Sequence, residues 1–479
     1  MSNGDYETIV GLEIHAELST KTKIFCSCPT EFGGEPNSHC CPVCMAMPGA
    51  LPVLNEKVIE YAVKAGIAMN CEIAEISKND RKNYFYPDLP KSYQISQYDM
   101  PLCKNGYVEI DTKEGKKKIG ITRIHIEEDA GKLNHDEFGK ESFVDLNRAG
   151  VPLIEIVSEP DIRGAEEAEA YLKKVKAILE YIEVSDCKMQ EGSFRADVNV
   201  SVRKKEDNKY GTRTEIKNMN SFRAIVNTIS YEAQRQINVI ENGGKIEQET
   251  LRWDELQGQT ISMRDKEDAQ DYRYFPEPDL GLIKITKEYV EKIKENLPEL
   301  PESRKKRYIS EYNLPEYDAN IITSSKYLSN LFEGALAICK NPKSVSNWIM
   351  SDIIGALNER EIEPDKIPFS AKDLGDLIVL IDKGTISTSI AKKVLQKMFE
   401  TSEKPDEIIK KYGLVQISDE DTIRKLAHKI LEANPKSIID YKSGKDHALG
   451  FLIGQAMKET KGKANPRLLD QIFKEELNK

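Results

Sequence analysis

Nowhere in this 479-residue chain does an apolar run approach the roughly 20 residues that a bilayer-spanning helix needs. The opening residues, Met1-Ser2-Asn3-Gly4-Asp5, lack the basic and apolar regions of a signal peptide, so a cytoplasmic location is the expectation. Familiar nucleotide signatures are missing as well: no G-x-x-x-x-G-K-[ST], no G-x-G-x-x-G opening a helix, no kinase H-R-D set. An excess of positive charge is also lacking. The formal charge of −11 argues against a protein that coats nucleic acid.

What is present is an ordinary soluble composition, 39% hydrophobic and 31% charged, in a chain long enough for two to four domains. The charge is uneven. From Asp421 to Lys479 there are 12 Lys and Arg against 8 Asp and Glu, a local +4 that leaves −15 on the rest. Local charge sets the attraction to phosphates, so a mildly basic tail on an acidic body can still contact nucleic acid.

The segment Arg195–Arg203 alternates strictly. Ala196, Val198, Val200 and Val202 fall on one side, and Arg195, Asp197, Asn199, Ser201 and Arg203 on the other. A period of two predicts a strand with one apolar and one polar face. Glu13, His15 and Glu17 alternate in the same way within Glu7–Leu18, a row of carboxylates and imidazole suited to a divalent cation or to a polar outer face. Within Ile119–Lys132 the pattern sets Arg123, His125, Glu127 and Asp129 on one face and Glu128 opposite. A further strand places Glu215 and Lys217 on one side. Carboxylates therefore recur on several strand faces, which is how metal-ATP sites without a phosphate loop are often built.

Five of the nine cysteines lie between Cys26 and Cys44, a crowding that suits metal binding better than a disulfide framework. Cys26-Ser27-Cys28 and Cys41-Pro42-Val43-Cys44 can converge on a tetrahedral, structural zinc, with Cys40 an alternative to Cys41 and His39 a further alternative. Asp80–Asp88 mixes cations with Tyr84, Phe85 and Tyr86, and Asp271–Asp279 repeats that mixture. Such segments either clamp a nucleotide or pack under a sheet.

Helical periodicity predicts helices over Lys57–Met69, Ala165–Ile182 and Phe222–Glu241, and nearly everywhere beyond Lys294. Leu297–Pro301 reads as a linker, and a break near Ser402–Pro405 isolates a final unit. Gly444-Lys445 and Lys458–Arg467 read as exposed basic turns between helices.

Seven stretches along the chain carry a resemblance: VGLEIH at 10–15, RKNYFYPD at 81–88, HIEEDAG at 125–131, DLNR at 145–148, TEIKNMNSF at 214–222, DYRYFPEPD at 271–279 and GFLIGQ at 450–455. The sequence resembles the B subunits of the tRNA-dependent amidotransferases, which convert Glu-tRNA(Gln) or Asp-tRNA(Asn) to the amide. That resemblance implies an α+β fold: a largely antiparallel-sheet cradle domain like glutamine synthetase at 1–293, an all-α domain at 294–406 and a small helical tail at 407–479 that contacts tRNA. The zinc knuckle at 26–44, within the first domain, rests instead on this chain's own cysteine pairs. The resemblance implies ATP and Mg2+ or Mn2+ as cofactors; the structural Zn2+ at Cys26, Cys28, Cys41 and Cys44 is read from the cysteine spacing and not from the resemblance. The implied metal and catalytic set is Glu13, His15, Glu127, Glu128, Asp197 and Glu215, with Glu128 either a ligand or a guard on the route of ammonia. Lys82, Arg195, Arg203 and Lys217 are the candidate phosphate contacts. No glutaminase motif is evident in the chain, so an amidase-type A subunit and a small C subunit are the implied partners. The competing expectation is a zinc-knuckle RNA-binding protein without catalysis.

Overall fold

The computed structural model describes residues 5–135, 141–263, 272–414, 419–443, 447–460 and 463–478. Gly444-Lys445, residues 461–462 of the second basic turn, Asp271 and Met1–Gly4 lie outside the described residues. Two compact units divide the chain, Met1–Pro301 and Glu302–Lys479.

In the first unit the alternating segments form one nine-stranded sheet. Its order is Gln259–Ser262, Thr250–Asp254, Thr214–Lys217, Phe194–Lys204, Tyr6–Glu17, Pro152–Ser158, Gly115–Glu128, Cys103–Thr112 and Glu72–Ile73. Every pairing is antiparallel except that of 214–217 with 250–254. The strand Tyr6–Glu17 lies at the centre, and its alternation decides the two faces. Leu12, Ile14 and Ala16 are buried with Ala196, Val198, Ile154, Ile156, Ile124 and Ile126. Four helices contribute to this core: α1 (Glu56–Ala68), α2 (Ala165–Tyr181), α3 (Phe222–Glu241) and, through Ile293, α4 (Lys287–Glu295). The opposite face carries the polar residues.

Local chemistry sets the helix ends. Asn55 caps α1 by accepting from Lys57 N, and Ser221 caps α3 by accepting from Ala224 N. Gly66 is a different case. A Cβ there would stand 2.5 Å from Cys103 Sγ, so only glycine lets α1 lie this close to the sheet.

The second unit is helical, from the Pro301–Tyr312 helix to the Pro466–Leu477 helix. It holds two separate apolar clusters, one around Phe332, Leu377 and Leu395 and another around Ile423, Leu452 and Phe473. Among the described residues no helix is long and apolar enough to cross a membrane.

Candidate active site

Register places the acids. Across the sheet, Glu13 stands opposite Asp197, His15 opposite both Arg195 and Glu155, Glu155 opposite His125, and Asn199 opposite Glu215. Because side chains alternate, all of these project from the polar face. They separate into two groups, in each of which the ligand atoms lie within 4.8 Å of one another. One group is His15, Glu127 and Glu155; the other is Glu13, Asp197 and Glu215.

The first group is the more buried. His15 Nε2 lies 3.4 Å from Glu155 Oε2, and His125 Nε2 lies 3.5 Å from both Glu127 and Glu155. Burial alone would raise the Glu155 carboxyl, yet His125, His15 and Lys82 together hold it well below the usual range. Glu127 is lowered as well: burial opposes it, while Lys82 and His125 prevail. Gln94 and Ser96 donate to the two Glu127 oxygens at 2.5 and 2.7 Å, fixing their direction. His125 Nδ1 is buried with no hydrogen-bond partner among the described residues. A buried set of carboxylate oxygens and imidazole nitrogens is the donor chemistry a hard divalent cation takes.

In the second group Lys217 Nζ sits 2.6 Å from Asp197 Oδ2 and 2.9 Å from Glu215 Oε1. Burial opposes the lysine's charge, yet these two acids raise its pKa above the ordinary value. Glu13 is raised by burial and by its acidic neighbours, and Asn199 donates to it at 3.1 Å. Three converging carboxylates again fit a divalent cation, with one lysine already among them.

Other expected residues go elsewhere. Glu128 turns away from both groups, accepting from Lys91 Nζ at 2.6 Å and from Ile95 N at 2.8 Å. It lines a cavity of about 240 Å3 with Lys91, Cys26, Cys44 and Met47. Lys82 lies 3.9 Å from Glu127, at the first group. Arg195 binds Asp129 at 2.8 Å, and burial together with Asp129 pushes Glu17 up to about 8. Arg203 pairs with Glu7, eight residues along its strand from Arg195, or roughly 26 Å away. It is therefore not part of either group. Sequence reasoning missed Glu155 and His125 as site residues. The available signal for Glu155 was a single acid inside the apolar run Val151–Val157.

The four cysteines Cys26, Cys28, Cys41 and Cys44 converge, while Cys40 is outside the group. The Cys28–Cys44 and Cys41–Cys44 sulfur separations are 4.0 and 3.9 Å. Sulfurs bound tetrahedrally at zinc stand about 3.8 Å apart, so the set fits. The Cys26 thiol draws Cys44 down to about 4, aided by the Cys41 N–H and Lys23, while burial pushes Cys28 up to about 12.

Residues 8–291, which hold all three groups, match the GatB/GatE catalytic domain. The chain belongs to the GatB/GatE family. Residues 330–477 match the GatB domain, so both units carry the family's pattern. The B subunit of an aspartyl/glutamyl-tRNA(Asn/Gln) amidotransferase from Caldicellulosiruptor bescii is 59% identical over 478 residues, covering 99% of this chain and 100% of that protein. Proteins of the same name from Thermoanaerobacter pseudethanolicus and Clostridium tetani are 60% and 53% identical, each over 99% of this chain. A zinc-knuckle RNA-binding protein without catalysis finds no support: the family matched is a catalytic domain.

Proposed function

We propose that this GatB-family chain phosphorylates the side-chain carboxylate of Glu-tRNA(Gln) or Asp-tRNA(Asn) with ATP and directs ammonia onto the product. A carboxylate does not react with ammonia at neutral pH, because its oxygen is a poor leaving group. Transfer of the γ-phosphoryl makes an acyl phosphate, and ammonia then displaces phosphate to leave the amide. The observation that carries this reading is the pair of acidic groups on neighbouring strands, each with a lysine beside it.

His15, Glu127 and Glu155 would hold one divalent cation and Glu13, Asp197 and Glu215 another. Such ions, Mg2+ or Mn2+, would supply positive charge against the triphosphate. Lys82 and Lys217 are placed to meet the negative charge that develops on the transferring phosphoryl group. His125 fixes Glu127 and Glu155 from the side. Arg195, held by Asp129, is a further cation at the edge of this face.

On this reading the sheet is a cradle like that of glutamine synthetase, the cysteine knuckle is a structural zinc site, and residues 407–479 form the tRNA-binding tail. Ammonia comes from an amidase-type A subunit, with a small C subunit completing a heterotrimer. Glu128, paired with Lys91 on the wall of a cavity, belongs on the ammonia route rather than among the ligands. The activity is that of a carbon–nitrogen ligase, and the expected location is the cytoplasm.

Asp197→Ala and Glu155→Gln, each assembled with the partner subunits, should lose amide formation at least about a hundredfold while still binding tRNA. Unchanged ATP-dependent amidation of misacylated tRNA by both variants would sink the proposal.

A further inference from the structure

Two segments far apart in the chain share one composition and one place. Strand Phe275–Pro276 pairs antiparallel with Asp80–Asn83, setting Phe275 opposite Arg81, and Asp80–Asn83 pairs in turn with Tyr93–Ser96. Asn83 ties the later segment down. Its backbone N–H donates to Tyr272 O at 3.0 Å, and its side-chain amide donates to Tyr272 O at 3.2 Å and Arg273 O at 2.8 Å. Arg273 is held at φ +45°, a left-handed conformation that costs a non-glycine residue energy and persists where surrounding bonds impose it.

The result is an ordered set of rings. Tyr84 and Tyr86 are nearly parallel, with centroids 6.0 Å apart and planes at 7°. Tyr272 meets Tyr84 edge-on at 6.4 Å. These rings are not core: Phe85 is 72% exposed and Tyr86 44% exposed. Clustered apolar surface left open to water in a rigid setting marks a binding site rather than a packing residue. Its position is a second, independent observation. Lys82 Nζ lies 5.1 Å over the Tyr272 ring and 3.9 Å from Glu127 Oε2, so the rings begin one lysine side chain from the first acidic group.

We propose that Tyr86, backed by Tyr84 and Tyr272, is a stacking platform for the adenine base of a nucleotide whose reacting end lies at Glu127. Stacking needs only a π-face and is strengthened by a neighbouring cation, which Lys82 supplies. The inference rests on the amidotransferase reading, in which two ligands carry an adenine: ATP and the 3′-terminal adenosine of the aminoacylated tRNA. Both present the same chemistry to the platform.

The test uses Tyr86→Ala and Tyr86→Phe in the full chain assembled with its partner subunits. KM is measured separately for ATP and for misacylated tRNA. Kd is measured without turnover for ATP and for a short RNA helix ending in a single-stranded adenosine. Tyr86→Ala raises the constants of at least one ligand by roughly 10- to 100-fold, and the ligand affected names the source. Tyr86→Phe keeps the ring and stays within about twofold. If Tyr86→Ala leaves both ligands within about twofold while the wild type forms amide, the platform is wrong and the amidotransferase reading stands. If Tyr86→Ala weakens adenosine binding but the wild-type complex forms no amide, the platform stands and the amidotransferase reading fails.

Discussion

Glu7 shows how much one residue's role depends on its neighbours across the sheet. It faces Arg203 in register and also binds Arg163 Nε at 2.9 Å. Burial pushes its carboxyl up, but the two guanidinium groups prevail and hold it below the ordinary value of 4.5. A depressed carboxyl contributes stability above its unfolded pKa and loses it as pH falls through the folded one. Glu7→Gln should therefore lower stability by about 1 kcal/mol at pH 7, and the gap to wild type should close under acid conditions. Thermal unfolding of both proteins across that range checks it; a gap that persists at low pH would show that packing, not charge, holds the pair. Arg203 is thus a structural cation. Alternation put it on the right face, but no sequence pattern says how far along a strand the chemistry extends.

The knuckle is the element at which sequence and structure can be set apart most sharply. Spacing left Cys40 and Cys41 as alternatives, since adjacent residues differ only in the direction the side chain leaves the backbone. In the folded loop Cys41 Sγ is 3.9 Å from Cys44 Sγ, whereas Cys40 Sγ lies 3.9 Å from Asn147 Oδ1. Cys41→Ser should release bound zinc and lower the melting temperature by several degrees, with Cys40→Ser retaining both, as read by metal analysis and calorimetry. The aromatic segments make the same point. Residues 81–86 and 272–275 look alike in sequence, but only strand pairing brings them to one patch beside Lys82.

At the scale of the whole molecule, charge is unevenly divided along the chain. The acidic body carries its acids as two organised groups on one sheet face, while the last 59 residues, Asp421–Lys479, hold a local +4. Lys458 and Arg467 are exposed there. Replacing both with Ala should raise the tRNA KM a few-fold, flatten its salt dependence by about one to two charges, and leave the ATP KM unchanged. An unaltered salt slope would exclude those two residues from the phosphate contact.

Hydrophobic periodicity by itself determined the strand and helix types, the two faces of the central strands and the helical second half. The reason is that side-chain direction follows directly from the backbone period. It also determined which residue types were available: Glu13, His15, Asp197 and Glu215 were legible because each interrupts an alternating apolar row. Only the tertiary structure decided the grouping. Which strands lie side by side depends on long-range pairing, and that pairing split one expected acidic set into two. It brought in Glu155 and His125, turned Glu128 toward Lys91 and set Arg203 about 26 Å away. A period of two tells a side chain which face to take; only register tells it whom it meets there.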